Sequence, residues 1–356
     1  MSISRRKTLA LLGGGFVVAA GGGGAGFLST RTPTSALEAW SAAGRYDDPR
    51  MNALSYAILA PNPHNRQPWI ADLSQPDTVT LYVDTNRLLP HTDPFSRQIV
   101  IGLGCFLEVL SIAAGQNGYR LDIDLFPDGS DDTSLDGKPV AVIGFEPSQH
   151  ASEPSLFAHI PDRRSLKEPF DKTRQVPQSA LDAMMATVTR GSRAAATNES
   201  DSVAKLRDLT AKALEIEFET PRTYKESVDL FRIGKSEVEA NPDGIDFSGP
   251  MWEALHLTGL FSRKAAMDRD GFTYRSGLDM VRDTALTGMA YVWLISDTNS
   301  RNDQIVAGRD WVRVNLVATE LGLGVQPMSQ ALQEYPEMSD LYADVHQMLA
   351  SQGQTV

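Results

Sequence analysis

The chain has 356 residues, of which 42% are hydrophobic and 22% are charged, so it can bury a sizeable core as one large domain or two ordinary ones. Its formal net charge of −12 speaks against a nucleic-acid partner, because phosphate binding requires a basic face. The single cysteine, Cys105, excludes an internal disulfide framework. Its apolar helical surroundings predict a buried core residue rather than a reactive thiol.

The first thirty residues are typical of a targeting segment. Paired arginines at positions 5 and 6 precede an apolar, glycine-rich run over residues 9–28, a pattern that resembles a twin-arginine export signal. The run is also long enough to remain as an N-terminal membrane anchor. Its glycines imitate a dinucleotide-binding fingerprint with Glu38, but no strand precedes them, so we reject that interpretation. We predict export to the periplasm by the twin-arginine (Tat) machinery, with the leader either cleaved or kept as an anchor.

The apolar periodicity predicts a mixture of helices and strands after a spacer over residues 31–45. Helices are expected where apolar residues recur every three to four positions, at residues 49–59, 95–118, 177–190, 201–219, 221–234 and 303–321. Strands are expected at residues 69–73, 78–83, 119–126, 139–145 and 291–296. Glycine and proline break residues 241–250 into a loop, and residues 251–274 form an amphipathic segment with several aromatic side chains.

The most informative stretch is residues 57–69, Ala-Ile-Leu-Ala-Pro-Asn-Pro-His-Asn-Arg-Gln-Pro-Trp, which closes a helix and leads into a strand. We call residues 61–67 the signature loop. Prolines fix the backbone torsions there, so the polar groups between them are held in place before a ligand arrives. Such a loop is suited to a planar ring that is rich in heteroatoms. The stretch resembles the Ala-Pro-Ser-x-x-Asn-x-Gln-Pro-Trp signature of the nitroreductase family of FMN enzymes.

A second stretch, residues 162–167, reads Asp-Arg-Arg-Ser-Leu-Lys. In an extended segment the alternate residues Arg163, Ser165 and Lys167 can face one way and present two cations and a hydroxyl to one phosphate. A solvated basic loop explains the same residues equally well. The stretch also resembles the Arg-x-Ser-x-Lys phosphate clasp of the nitroreductase family, and this resemblance implies a phosphate-binding role.

A third stretch, residues 324–330, reads Gly-Val-Gln-Pro-Met-Ser-Gln and follows the last long predicted helix. By the same resemblance it lies where nitroreductases place backbone amides against the reactive nitrogen of the flavin. Donors at that place stabilise charge on the reduced ring. The resemblance therefore implies cofactor contacts from Pro327, Ser329 and Gln330. A simple helix-to-strand turn is an equally good interpretation of these residues.

Two of the predicted helices share a faint repeat, in which five apolar or glycine residues recur at a constant offset of 206 residues, beginning with Ile99 and Ile305. Nitroreductases are normally two-fold dimers with FMN at the subunit interface, so the resemblance implies that two fused copies form a pseudo-dimer. The fused pattern is similar to the tandem nitroreductase subgroup related to the mycobacterial Acg protein. The implied halves are residues 46–150 and 151–345, and the second half carries an inserted lid at about residues 201–285.

Carried onto this chain, the resemblance implies one FMN site between the two halves. The phosphate would be bound by the second half, through Arg163, Ser165 and Lys167. The ring and ribityl chain would be bound by the first half, through Pro61, Asn62, Pro63, Asn65 and Gln67. The six histidines show no metal-ligand spacing, and no side chain stands out as a catalytic acid or base. Arg97, which opens the helix beside the site, could bind an anion or form an ion pair with Asp93, and the ion pair is the favoured prediction.

The predicted fold is therefore α+β and nitroreductase-like, with two fused half-domains around a central mixed or antiparallel sheet flanked by helices. The predicted function is an FMN-dependent oxidoreductase that transfers hydride or electrons through FMN to a nitroaromatic, a quinone or a related small-molecule acceptor. NAD(P)H is the candidate donor, and the chain is expected to be a monomer that acts as a pseudo-dimer. The alternative is a flavin-binding or flavin-sequestering protein whose lid closes the site, with little or no turnover.

Overall fold

The computed structural model of the protein describes residues 30–149 and 152–356. The predicted leader, apart from Thr30, lies outside the described residues. Within them the helices of at least five residues, α1 to α13 in chain order, are Glu38–Ala42, Pro49–Ala57, Arg97–Gln116, Pro154–Ala158, Gln178–Ala186, Ser200–Glu219, Pro221–Asp229, Gly234–Ala240, Pro250–Leu257, Arg263–Met267, Phe272–Ala285, Arg301–Glu320 and Ser339–Leu349. The strands, β1 to β8, are Trp69–Asp72, Thr78–Val83, Tyr119–Leu125, Ala141–Pro147, Arg193–Thr197, Phe231–Ile233, Ile245–Phe247 and Tyr291–Ile295.

The main sheet has four antiparallel strands in the order β1-β2-β4-β3. Its second strand buries Val79, Leu81 and Val83 on one face and leaves the intervening residues partly exposed, which is the alternation of a strand with one covered face. Helices α2 and α3 pack on that covered face. A two-stranded antiparallel sheet (β5-β8) and a two-stranded parallel sheet (β6-β7) complete the strands of the described residues. The prediction of an α+β fold is confirmed.

The insertion, residues 201–285, differs from its prediction in three places. The helix expected over residues 221–234 ends at Asp229, because Phe231 and Ile233 alternate inward as strand β6. The loop expected over residues 241–250 contains strand β7, which pairs in parallel with β6. Aromatic side chains of both strands, of the helices α7, α9 and α11 and of the loop after α9 pack into a small core of their own, in which Phe231, Phe247 and Phe261 are members. The insertion therefore has an apolar core of its own, and residues 251–274, predicted as one amphipathic segment, contain nearly all of α9, the whole of α10 and the start of α11.

The helices α3 and α12 cross with almost no side chain between them. A Cβ atom placed on Gly104 would lie 2.2 Å from the carbonyl oxygen of Ile305, and one placed on Gly308 would lie 1.9 Å from the carbonyl oxygen of Ile101. The Cys105 thiol donates to the carbonyl oxygen of Gly308 at 3.2 Å. Burial raises the pKa of this thiol to about 12, so the interpretation of Cys105 as a core residue is confirmed.

The two crossing helices are equivalent in a register that the sequence repeat did not predict. Each has 20 residues, and both their first residues and their last residues are 204 positions apart rather than 206. The contacts follow the same offset, because Gly104 meets Ile305 while Gly308 meets Ile101. The shift of two residues arises because the glycines that allow the crossing are Gly104 and Gly308, whereas the repeat aligned Gly102 with Gly308.

A buried ion cluster lies beside the crossing. The carboxylate of Glu108 has no exposed surface and accepts hydrogen bonds from Arg190 at 2.7 Å, from Arg309 at 2.8 Å and from Arg313 at 2.8 Å. Burial alone would raise the pKa of Glu108, but the three guanidinium groups lower it below its ordinary value. The cluster links α3 to α12 and to the segment before β5, so it fixes the two halves of the core to each other.

Helix α3 is long and apolar enough to cross a membrane, judged by length and composition in the described residues. Its side chains are mostly buried inside the protein: Ile99, Leu103 and Leu107 have no exposed surface and pack in the main core. The apolar composition of the helix is explained by its burial between the main sheet and α12.

We expect Gly104→Ala to destabilise the protein by about 2–4 kcal/mol, because the new methyl group would overlap a backbone oxygen that neither helix can move. Urea unfolding followed by circular dichroism measures the change. The matched control is Gly137→Ala, since a Cβ there would meet no atom within 4 Å and should change stability by less than about 0.5 kcal/mol. Equal stability of the two variants would contradict the close crossing.

Candidate functional site

A cavity of about 600 Å³ lies where the signature loop meets the crossing helices and the second half of the chain. This volume is in the range of small-molecule and cofactor sites. From the first half its walls include Pro61, Asn62, Pro63, Gln98, Ile101 and Gly102. From the second half they include Ser165, Arg174, Trp311, Gln326, Pro327 and Ser329. Three stretches that are far apart in sequence, and that were singled out separately, therefore border one cavity.

The inner end of the signature loop is fixed by Asn62 and by the helix beneath it. The Asn62 side chain donates to the carbonyl oxygen of Ala60 at 3.2 Å and accepts from the backbone N–H of Gln67 at 2.7 Å, which closes the loop on itself. A Cβ on Gly102 would lie 3.2 Å from both Asn62 Cβ and Pro63 Cδ, so glycine at this position lets the loop pack against α3. Of the predicted loop contacts, Pro61, Asn62 and Pro63 line the cavity.

The outer end of the loop, by contrast, faces the insertion. Asn65 and Gln67 do not line the cavity. The Gln67 side chain donates to the carbonyl oxygen of Pro242 at 2.6 Å, and the carbonyl oxygen of Asn65 accepts from the backbone N–H of Gly244 at 3.1 Å. The structure thus brings three of the five predicted loop residues to the cavity and places two at a contact with residues 242–244.

His64 lies at this outer end, partly exposed as a residue but with its Nδ1 atom buried. Its Nε2 lies 3.1 Å from the Ser227 hydroxyl, and its Nδ1 has no partner among the described residues. Burial lowers the pKa of His64 to about 4, and the neighbouring Glu226 carboxylate opposes the shift only in part. The imidazole is therefore neutral at ordinary pH.

The predicted residues of the second stretch differ in exposure and in whether they line the cavity. Ser165 is exposed and lines the cavity, and its segment is extended because Ser165 forms a parallel bridge with Val325. Lys167 is exposed and does not line the cavity. Arg163 is buried behind the loop, where one Nη donates to the carbonyl oxygen of Leu59 at 3.1 Å and the other has no partner among the described residues. Burial lowers the pKa of Arg163 to about 10.

The third stretch contributes Pro327 and Ser329 to the cavity wall, whereas Gln330 lies just outside it. The Ser329 hydroxyl donates to the side-chain oxygen of Gln98 at 3.2 Å, and its backbone N–H has no acceptor among the described residues. Gln326, which the sequence prediction omitted, lines the cavity. The side-chain oxygens of Gln326 and Gln330 are buried and also lack a partner in the described part of the chain.

Several further residues of the cavity wall were not predicted. The aromatic ones are Phe170, Tyr291, Trp293 and Trp311. The cations of the wall are Arg97, which donates to Asn299, and Arg174, which is exposed and forms no side-chain hydrogen bond or ion pair with any described residue. Arg174 lies on the same irregular segment as Ser165, and that closeness was the available signal. A segment without helical or strand periodicity does not show which of its side chains face a cavity.

The expected ion pair between Arg97 and Asp93 is wrong. Asp93 is buried and its carboxylate accepts the backbone N–H groups of Gln98 and Ile99, so it caps helix α3. Burial raises the pKa of Asp93 to about 6. Arg97 instead donates to the side chain of Asn299 at 3.2 Å and to the backbone oxygen of Val356. The capping role prevails because the first amides of a helix need an acceptor.

The insertion covers little of this cavity. Among the described residues that line it, those from the insertion are Leu206, Leu209 and Thr210, all on helix α6. The remainder of the insertion contacts the outer end of the signature loop through His64 and residues 65–67. The part of the insertion outside α6 therefore contacts the signature loop and does not line the cavity.

The chain is similar to several curated proteins. No family model matches the chain. It is 34% identical to the uncharacterized protein Rv3127 of Mycobacterium tuberculosis over 125 residues, which is 34% of this chain and 35% of the relative. It is 24% identical to the "putative NAD(P)H nitroreductase Rv3131" of the same organism over 294 residues, 79% of this chain and 76% of the relative. It is 29% identical to the "putative NAD(P)H nitroreductase acg" over 126 residues, 34% of this chain and 36% of the relative.

The chain thus matches about a third of the length of the first relative and three quarters of the length of Rv3131. Similarity to proteins with these names supports a nitroreductase-type oxidoreductase. The names indicate a nicotinamide donor for those relatives.

Because the pKa of His64 is lowered by folding, protonation favours the unfolded chain as the pH falls from 6.5 toward 4. Between pH 7 and pH 5 we expect the wild-type protein to lose about 1–2 kcal/mol more stability than His64→Gln, which has no proton to gain. Urea unfolding at the two pH values measures this difference. The control is His91→Gln, since His91 is exposed and this variant should keep the pH dependence of the wild type. A His64→Gln protein that loses as much stability as the wild type would contradict the burial of the imidazole.

Proposed function

We propose that this protein is an FMN-dependent oxidoreductase of nitroreductase type, with FMN in the cavity below the signature loop. The observation that carries the proposal is the convergence of Pro61–Pro63, Ser165 and the segment from Gln326 to Ser329 on one cavity. The similarity to proteins named as NAD(P)H nitroreductases supports it independently. When bound, FMN would take up hydride from NAD(P)H and deliver electrons to a nitroaromatic, a quinone or a related acceptor.

The cavity has donors, acceptors and surfaces that suit a flavin. Trp311 and Tyr291 offer flat apolar surfaces for a ring system. The unpartnered side-chain oxygen of Gln326 would accept from a ring N–H, and the free backbone N–H of Ser329 would donate to a ring nitrogen or carbonyl. A buried polar atom without a partner is costly, so the buried side-chain oxygen of Gln326 points to a ligand that completes its hydrogen bond.

Two cations would hold the phosphate. Arg174 is at the cavity wall and Lys167 is exposed two residues from Ser165; neither forms an ion pair with another described residue. The Ser165 hydroxyl adds a donor, while the buried Arg163 would position this segment from behind by its bond to Leu59. The roles left to the chain are to orient the flavin, exclude water with its apolar walls and present charge to the phosphate.

The arrangement of the insertion favours an enzyme over the closed flavin carrier that was the alternative. A sealed site needs a cover, and the insertion contributes only α6 residues to the walls within the described chain. We further propose that the two halves act as a pseudo-dimer, as the matching helices α3 and α12 suggest. Export by the twin-arginine route is proposed from the leader.

The deciding experiment is a visible spectrum of the purified full chain after incubation with FMN, before and after NADPH is added without oxygen. We expect flavin bands that bleach with NADPH and return when a quinone or nitroaromatic is added. Absence of bound flavin would overturn the proposal. Bound flavin that bleaches with dithionite but never with NADPH or NADH would replace a nicotinamide-dependent enzyme by a flavin carrier or an enzyme with another donor.

We expect Arg174→Gln to weaken FMN binding about tenfold and riboflavin binding less than twofold, because a charge-assisted hydrogen bond to phosphate contributes about 1.5–3 kcal/mol. Fluorescence titration with both flavins measures the two dissociation constants. Lys172→Gln is the matched control, since Lys172 is an exposed cation of the same segment that does not line the cavity. Equal losses for FMN and riboflavin would show that Arg174 does not bind the phosphate.

A further inference from the structure

The signature loop adopts a backbone conformation that it cannot keep unaided. His64, Asn65 and Gln67 have φ values of 47°, 50° and 48°, in the left-handed region that disfavours residues with a Cβ. Each such residue costs on the order of 1 kcal/mol and persists only where its surroundings determine it. The contacts that hold these residues are therefore part of how the site is built.

Those contacts come from residues 242–244 of the insertion, which we call the clamp segment. The carbonyl oxygen of Pro242 accepts from the Gln67 side chain at 2.6 Å. The backbone N–H of Gly244 donates to the carbonyl oxygen of Asn65 at 3.1 Å. Two of the three left-handed residues are thus bonded directly to the clamp segment.

The centre of the clamp segment, Asp243, is bound by three arginines. Its carboxylate accepts from Arg66 at 3.2 Å, from Arg87 at 3.1 Å and from Arg232 at 2.7 Å. Its side chain is 13% exposed, and that of Arg66, which belongs to the signature loop, is 11% exposed. Ion pairs at this depth are far less screened by water than surface pairs.

The arginines also lock the loop to its neighbour in the chain. Arg66 donates to the carbonyl oxygen of Arg87 at 3.1 Å, and Arg87 donates to the carbonyl oxygen of Arg66 at 3.0 Å. Asp84 also pairs with Arg87 at 3.2 Å, but Asp243 contacts all three guanidinium groups and offsets their mutual repulsion. Asp243 is therefore the group that makes this arrangement of the loop stable.

We propose that Asp243 is a positioning residue for the flavin site, and that the insertion is a clamp on the outer end of the signature loop. This inference rests on the proposed function, because the inner end of the same loop is the part that faces the cavity. Asp243 touches neither the cavity nor a ligand; it acts through Arg66 and the backbone of residues 64–67. Releasing it lets these residues leave the left-handed region, which moves Pro61–Pro63 off the cavity wall.

The test compares the full chain with its Asp243→Asn variant by hydrogen exchange and by flavin titration. The backbone N–H groups of Gln67 and Gly244 report on the loop, because each has an acceptor within it. We expect both to exchange at least tenfold faster in the variant, while the amides of β4 exchange as in the wild type. We also expect the FMN dissociation constant to rise at least tenfold.

Two further variants make the result specific. Asp246→Asn is the matched control, since Asp246 is exposed and forms no ion pair among the described residues. It lies three positions after Asp243, in strand β7. This variant should leave both readouts unchanged. Asp243→Glu keeps the charge and should restore most of the protection and affinity. If Asp243→Asn does not fold, Arg232→Gln removes one of the three arginines. Amide exchange and the FMN dissociation constant should then rise in the same direction but by less.

Unchanged exchange at Gln67 and Gly244 would overturn the clamp, whatever happens to the flavin. Faster exchange with an unchanged FMN dissociation constant would overturn the positioning role. No FMN binding by the wild-type chain would overturn the proposed function, and the exchange measurement would still decide whether Asp243 holds the loop.

Discussion

The close crossing of α3 and α12 is the constraint on which the rest of the molecule depends. At Gly104 and Gly308 the two backbones touch, so neither helix can shift or rotate without a clash. The cavity lies along this crossing, with Ile101 and Gly102 of one helix and Trp311 of the other in its walls. A cavity between two elements keeps its shape only if their separation is fixed, and here backbone contact fixes it.

The signature loop is held from two sides by contacts of different kinds. On the inside, the absence of a side chain at Gly102 lets Asn62 and Pro63 pack against α3. On the outside, Asp243 and its neighbours fix the residues with positive φ. Prolines stiffen the loop but do not determine its backbone path, since a proline restricts only its own φ and the conformation of the residue before it. The path follows from the two supports.

The sequence predicted most of the regular elements because their periodicity is strong: β2 has its expected bounds, and α3 and α12 each differ by two residues or fewer at either end. The α+β class was implied by the resemblance to nitroreductases. Strand β6 was missed because three residues are too few for a period to show, and its pairing with β7 is a tertiary contact. The register of the repeat failed for a similar reason, since a match of apolar types cannot say which glycine lies at the crossing.

Sequence motifs predicted part of the site. Residues that only the fold brings to the cavity were not predicted. Pro61, Asn62, Pro63, Ser165, Pro327 and Ser329 were predicted and line the cavity, which brings together stretches up to 268 residues apart. The other predicted residues do not line it, namely Asn65, Gln67, Arg163, Lys167 and Gln330. Arg174 and Trp311 were missed because no local pattern reveals which loop or helix face meets a distant one. The role in flavin binding that the resemblance implied for the predicted residues remains a prediction.

The arginines of this chain separate into two groups that bear on function. Arg309 and Arg313 share the buried Glu108, and Arg66 and Arg232 share Asp243, so these cations are neutralised within the fold. Arg174 forms no close ion pair among the described residues and interacts with Asp171 of the same wall only at longer range, in a chain whose formal net charge is −12. An acidic protein has carboxylates available for pairing, and a cation left unpaired at a cavity wall favours an anionic ligand there. The phosphate of FMN is such an anion, which is why the charge pattern and the loop geometry support the same proposal.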